Sequence, residues 1–402
     1  MIIDSYFARQ PIFDRERRVQ AYEILYRSSP TARTAEILDG VEATADVLAG
    51  AFGHAAPADL LAGLRGYVNV PRSMVVDRTL HAFAPDRLAI EVLEDVTADA
   101  EVLAALVDLR SAGFSIALDD FTPAPSRMRL LRHADVVKVD VRAVPHRELE
   151  RIVALVSRYD VVMLAEKVES VDEFSRCVGL GFELFQGYFF ARPEAMASHR
   201  LDAGRGRLVE LLVELHSKDP DIDDVVGCVE SHPELAFQIL RVLNSSASGL
   251  PRAVESIREG VVLLGTRRLT ELASLLVLAA HDHKPAELVT VALARARMCE
   301  LIAIGLSSDD PSSYFTVGVF SVLDALADRP MEEVVEALPL GPEVRRALLD
   351  RRGPKGDVLA AVVAYEAGDW DRVSSLGVDA STLASLYVES LDWAGSMVAK
   401  VS

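Results

Sequence analysis

From residue 1 to about residue 195, short apolar runs rich in β-branched and aromatic side chains alternate with longer stretches whose apolar residues return at helical spacing. The runs are "VQAYEILYR", "GYVNV", "LAIEVLE", "FSIALDD", "VVKVD", "VVMLAEK" and "FELFQGYFF"; among the stretches between them are "AEVLAALVDLRSAG", "RELERIVALVSRYD" and "SVDEFSRCVGLG". Strand followed by helix, repeated, predicts a parallel sheet with right-handed crossovers. So many repeats in so short a length favour closure, which makes this half an α/β TIM-like barrel. An open doubly wound sheet is the alternative, because periodicity does not show closure.

Beyond about residue 200 the alternation ends. "GRLVELLVELHSKD", "SHPELAFQILRVLNSSASG", "RRLTELASLLVLAAHD", "LVTVALARARMCELIAIGL", "YFTVGVFSVLDALAD" and "DASTLASLYVESLDWAGSMV" carry apolar residues at helical spacing and predict an all-α half. Ser231 with Glu234 three residues on, and Pro233 in the first turn, reads as a capping box, while Gly249 and Gly341 mark breaks. "RPEAMASHRLDAGRGR" joins the halves: Pro193 stops the last strand pattern, and Gly204 and Gly206 loosen the chain. The expected division is a barrel domain over residues 1–197 and a helical domain over residues 198–402.

Composition narrows the function classes. The 402 residues are 50% hydrophobic, enough for two ordinary domains. A formal net charge of -19 speaks against a broad phosphate-binding surface, since nucleic-acid binders cluster Lys and Arg. No nucleic-acid partner is expected, and the basic stretches near Arg15, Arg17 and Arg18 and in "RRALLDRRGPK" read as solvated surface. A small anionic ligand in a metal-lined pocket is compatible with the same charge. Cys177, Cys228 and Cys299 are widely spaced and show no CxxC pattern, which predicts buried reduced thiols and a cytoplasmic protein. The first twenty residues lack a basic segment followed by an apolar one, and no stretch reaches about 18 uncharged apolar residues, so neither a leader nor membrane contact is expected.

In a parallel barrel the C-terminal strand ends converge on one mouth. Ionisable and amide residues recur there: Glu23, Asn69, Glu91 and Glu94, Asp119 and Asp120, Lys138 and Asp140, Glu166 and Gln186. Any one of them alone reads equally well as a helix cap or a solvated charge; together they argue for a shared cavity. Carboxylates facing one cavity repel and raise each other's pKa unless cations neutralise them. Oxygen donors of Asp, Glu and Asn suit Mg²⁺ or Mn²⁺, and adjacent Asp119 and Asp120 could hold two such ions, as phosphodiester-cleaving sites do. Lys138 fits as a fixed cation beside the water or phosphate, or as a structural ion pair.

These motifs resemble an EAL domain over residues 1 to about 195. Glu23 and Arg27 stand in "YEILYR" as the signature glutamate and its downstream arginine, with Ile24 in place of the usual alanine. Asn69, Glu91 and Glu94, the DDF of Asp119, Asp120 and Phe121, the KxD of Lys138 and Asp140, "AEKVE" around Glu166 (for "AEGVE") and the QGY beginning at Gln186 follow in order. The resemblance implies hydrolysis of cyclic di-GMP to pGpG on a TIM-like barrel with two Mg²⁺ or Mn²⁺ ions. It implies metal ligation by Glu23, Asn69, Glu91, Asp119 and Asp120, catalytic roles for Glu166, Lys138 and Gln186, and substrate contacts for Arg27 and Glu94. One departure bears on activity. The loop "DDFTPAPSR" has Thr122 where the family has glycine, and Pro123 and Pro125 fix φ and remove amide donors.

The second half resembles the HDOD domain in "SHPELAFQILRVLNSSASGLPRAVESIREGVVLLGTRRL", so that the whole chain is similar to two-domain EAL-HDOD signalling proteins. Ser321 in "GVFSVLD" replaces the histidine of an active HD relative, and His281 and His283 read as a helix-end cluster rather than a metal site. Two functions follow. The complete ligand set favours a metal-dependent phosphodiesterase with an HDOD domain that relays a signal or binds a protein partner; the altered loop favours a cyclic di-GMP receptor or interaction scaffold. A homodimer is implied by the resemblance, with the loop weakening the usual route to it.

Overall fold

Eight strands close into a barrel in sequence order: β1 (Tyr6–Phe13), β2 (Val19–Arg27), β3 (Arg65–Val70), β4 (Leu88–Val92), β5 (Ser115–Leu118), β6 (Val136–Asp140), β7 (Val162–Glu166) and β8 (Leu184–Gln186). The computed structural model describes residues 6–27, 44, 48, 52, 61–191, 211–213, 215–216, 222–243, 254, 256–279, 285–338, 340–375 and 380–399. The joining segment after Ala191, Gly249, and His281 with His283 lie outside them.

Strands β2 to β8 are those the apolar runs anticipate, and their mutual pairing is parallel. Strand β1 is an addition, and it runs antiparallel to both β2 and β8. Arg9, Gln10 and Pro11 interrupt its hydrophobicity, so its sequence does not read as a strand. A turn closed by Asp14, whose side chain accepts from the Arg18 amide, joins it to β2. This hairpin seals the seam between β2 and β8, and Arg15 ties it to the turn before β8 by donating to Phe182 O at 2.9 Å.

The interior is layered because side chains alternate across a strand at period two. Ile12, Ala21, Tyr67, Ala89, Ala117, Val136 and Leu164 form one apolar cluster inside the barrel, with Leu184 packed against it. Two residues further along β2 to β8 stand Glu23, Asn69, Glu91, Asp119, Lys138, Glu166 and Gln186; two residues before Ile12, on the antiparallel strand, stands Gln10. One position per strand therefore forms a polar layer above an apolar floor.

Helices between the strands are α1 (Arg72–Val76), α2 (Ala100–Ser111), α3 (Pro125–Leu130), α4 (His146–Val156) and α5 (Val171–Leu180). Asp99 caps α2 by accepting from Val102 N, and Ser170 caps α5 by accepting from Glu173 N. The remaining described helices are α6 (Ile222–Glu230), α7 (Pro233–Leu243), α8 (Ile257–Leu264), α9 (Thr266–Ala279), α10 (Ala286–Gly305), α11 (Pro311–Phe320), α12 (Leu323–Ala327), α13 (Met331–Ala337), α14 (Pro342–Asp350), α15 (Gly353–Glu366), α16 (Trp370–Ser375) and α17 (Ala380–Ala399). The hydroxyl of Ser231 donates back to Cys228 O at 2.6 Å, closing α6, and the side chain of Glu234 lies outside the described residues. No described helix is long and apolar enough to cross a membrane.

Two compact units result: Met1–Phe190 with Val363–Val388, and Ala191–Val362 with Glu389–Ser402. In the second, α10 and α11 cross so closely that a Cβ on Gly318 would lie 2.4 Å from Ala296 Cα. Ser321 accepts from buried Arg295 at 2.8 Å and donates to Gly318 O at 2.7 Å. The three cysteines are buried free thiols.

Candidate active site

Lys138 enters the polar layer from β6, and its ammonium is surrounded. Nζ lies 3.1 Å from Glu23 Oε2, 2.9 Å from Glu91 Oε2, 3.0 Å from Asp119 Oδ1 and 3.0 Å from Glu166 Oε1. Desolvation opposes the charge on this fully buried lysine, yet Glu23, Glu91, Glu166 and Asp119 outweigh it and hold its pKa well above the ordinary value. This geometry is that of a buried ion pair shared with four barrel carboxylates.

Four carboxylates around one ammonium leave a deficit of positive charge. Glu91 is fully buried, and desolvation, then Glu23, push its pKa well up. Burial likewise raises Glu166 to about 7, against the pull of Lys138. Amides complete the layer: Gln186 donates to Glu23 Oε2 at 2.6 Å and to Gln10 Oε1 at 2.9 Å, and Asn69 donates to Glu23 Oε1 at 3.4 Å. Three buried acceptors, Asn69 Oδ1, Glu91 Oε1 and Gln186 Oε1, keep no hydrogen-bond partner. Unpartnered buried oxygens among several carboxylates are the environment a hard divalent cation relieves.

Asp119 and Asp120 would point to opposite faces if both were extended. Asp120 instead has φ 41°, a left-handed conformation that aspartate tolerates, and this turns its carboxylate back beside that of Asp119. Glu94, beyond β4, joins them: ligand oxygens of Glu94, Asp119 and Asp120 all lie within 4.8 Å of one another. Among the described residues this is the one group of His, Cys, Asp or Glu side chains so arranged. Burial, then Asp119, raises the pKa of Asp120.

The structure thus gathers Glu23, Asn69, Glu91, Asp119, Lys138, Glu166 and Gln186 in one contact network, and places Glu94 with Asp119 and Asp120. Arg27 closes β2, and its side chain lies outside the described residues. Asp140 sits apart from Lys138 and accepts from Lys167 Nζ at 2.5 Å and from two backbone amides. Sequence reasoning missed Gln10, hidden in a strand that did not read as one. It also missed Lys167, whose φ of 57° stands where the family motif carries glycine, and Arg127, whose guanidinium grips the carbonyls of Leu93 and Asp119.

Comparison with known proteins covers both halves. The EAL domain model matches residues 72–193 and the HDOD domain model residues 206–327. The chain is 35% identical over 404 residues to the uncharacterized protein YuxH of Bacillus subtilis, covering 98% of each. It is 30% identical over 397 residues to the cyclic di-GMP phosphodiesterase CdgJ of Vibrio cholerae, covering 97% of this chain and 92% of that one. A solved calcium/cy-diGMP complex of Klebsiella pneumoniae BlrP1 aligns with 47% of this chain and 56% of its own at 27% identity, with a TM-score of 0.38.

Proposed function

Because this chain belongs to the EAL-HDOD family, we propose that its barrel hydrolyses cyclic di-GMP to linear pGpG with Mg²⁺ or Mn²⁺. The observation that carries this is the polar layer itself, one side chain from each strand, with buried acceptors left unpartnered beneath an acidic mouth. Glu23, Asn69, Glu91 and Asp119 would hold one ion, and Asp120 with Asp119 a second; their oxygens suit hard cations. When bound, such ions lower the pKa of water and stabilise charge on a phosphoryl group.

Glu166, with its pKa near neutrality, takes the proton of the attacking water. Gln186, fixed by Glu23 and Gln10, orients that water. Water oxygen bonds to phosphorus, the P–O3′ bond breaks, and the departing 3′ oxygen gains a proton, leaving a 5′-phosphate on the linear product. Lys138 keeps the carboxylates close together and offsets the charge of the transferring phosphate. Arg27, the last residue of β2, and Glu94, just past β4, are assigned to substrate contact, with Glu94 also offering an oxygen to the second ion beside Asp119 and Asp120. Residues 198–402 supply the HDOD domain, which binds a protein partner and relays its state to the barrel.

A second reading, a receptor or scaffold that does not turn over, is favoured by the prolines after the DDF motif. Incubation of the purified protein with cyclic di-GMP and Mg²⁺ or Mn²⁺, followed by chromatography, separates the two. Formation of pGpG that falls at least about 100-fold in Glu23→Ala supports the enzyme. Nucleotide binding by calorimetry without product supports the receptor, and neither binding nor product supports the scaffold.

A further inference from the structure

The proline-bearing segment after Asp120 leads into Arg127, on α3. This side chain is 3% exposed. Its Nη1 donates to Leu93 O at 2.8 Å, its Nη2 donates to Asp119 O, and its Nε has no partner. The two carbonyls belong to the exits of neighbouring strands, Leu93 just past β4 and Asp119 just past β5. Those exits carry the three carboxylates that come together at the mouth, Glu94 from one and Asp119 and Asp120 from the other.

Carboxylates with oxygens within 4.8 Å of one another repel when charged, and such repulsion acts to push their two strand ends apart. A salt bridge to one of them would relieve the repulsion and also occupy lone pairs that a cation needs. Arg127 does otherwise: both its bonds go to carbonyl oxygens, so it adds positive charge beside the cluster and ties the exits together while leaving the carboxylate oxygens available. Only the planar fork of a guanidinium spans two acceptors in this way; an ammonium is a point charge. Pro123 and Pro125 restrict φ along the preceding loop, and Pro125 opens α3. The prolines thus stiffen the segment that delivers the guanidinium.

We infer that Arg127 is the positioning residue of the acidic mouth, clamping the exits of β4 and β5 so that Glu94, Asp119 and Asp120 stay at cation-binding separation. This rests on the reading of the mouth as a cation site. The measurement is Mn²⁺ binding to the full chain, followed by loss of the free-ion electron paramagnetic resonance signal, in wild type, Arg127→Ala and Arg127→Lys. Affinity falls about tenfold or more in both variants. Guanidinium at about 10 mM, far below denaturing concentrations, restores Arg127→Ala, and ethylammonium does not, whereas a residue that merely stabilises the fold gives no such selectivity. Wild-type affinity in Arg127→Ala, or a loss that guanidinium leaves unchanged, overturns the inference. Should Arg127→Ala fail to fold, wild-type affinity in Arg127→Lys overturns it equally. If wild type itself binds no Mn²⁺, the cation reading falls and this inference with it; if wild type binds and the variants bind alike, only this inference falls.

Discussion

Glu166 shows how much of the chemistry is set by where a single side chain ends up. In water a glutamate is ionised throughout the neutral range, but burial lifts this one to about 7 even with Lys138 3.0 Å away. As the proposed base, Glu166 must be unprotonated to accept a proton, so the proposed turnover should rise with pH along a limb centred at or below 7; a bound cation favours the carboxylate and moves the limb downward. Initial rates between about pH 5.5 and 9 test this. Glu166→Gln should lower turnover about 10²–10⁴-fold and remove the limb; a limb that survives assigns the titration to another group. The identity of this residue was legible from its place at the end of an apolar run. Its protonation behaviour was not, because desolvation exists only once the other strands enclose it. Asp120 makes the same point, since its left-handed φ, which brings the pair together, leaves no mark in local periodicity.

At the scale of elements, period two foretold seven of the eight strands, and period 3.6 foretold the helical half. The strand it did not foretell, β1, contributes Gln10 to the polar layer and closes the seam. Its segment carries polar residues and a proline because it needs only partners on both sides, not a continuous apolar surface. Helix packing separates glycines that look alike in sequence. Gly318 sits where α11 presses on α10, and Gly318→Ala forces two backbones apart, at a cost of about 1–3 kcal/mol or more. Gly179, in α5, has nothing within 4 Å of its added Cβ, so Gly179→Ala stabilises by about 0.5–1 kcal/mol. Urea denaturation of both variants reads the opposite signs; equal shifts would refute the close crossing.

Over the whole molecule, contacts regroup what sequence keeps apart. Residues Val363–Val388 belong to the compact unit of the barrel although they lie within the helical half of the chain. Gln10 donates to Ala367 O at 3.5 Å, and Gly368, with φ +67°, faces the side chain of Leu25, two residues beyond Glu23 on β2. Gly368→Ala is therefore strained in its backbone and crowded against Leu25, and should cost about 1 kcal/mol or more, a fall of about 2–4 °C in the melting transition. A variant that melts like wild type would show that this turn does not need glycine.

What the sequence alone determined is the content of the site. An apolar residue followed two positions later by an acid, amide or lysine, strand after strand, dictates an apolar floor with a polar layer above it, because alternation is a local property of extended chain. Tertiary structure decided the rest: closure through an antiparallel strand, Lys138 as the shared partner of four carboxylates, Asp120 turned beside Asp119, and Arg127 gripping two strand exits. Each of these depends on residues far apart in the chain meeting in a space from which water has been excluded, where ionic and hydrogen-bonding preferences acquire energies that no local pattern records.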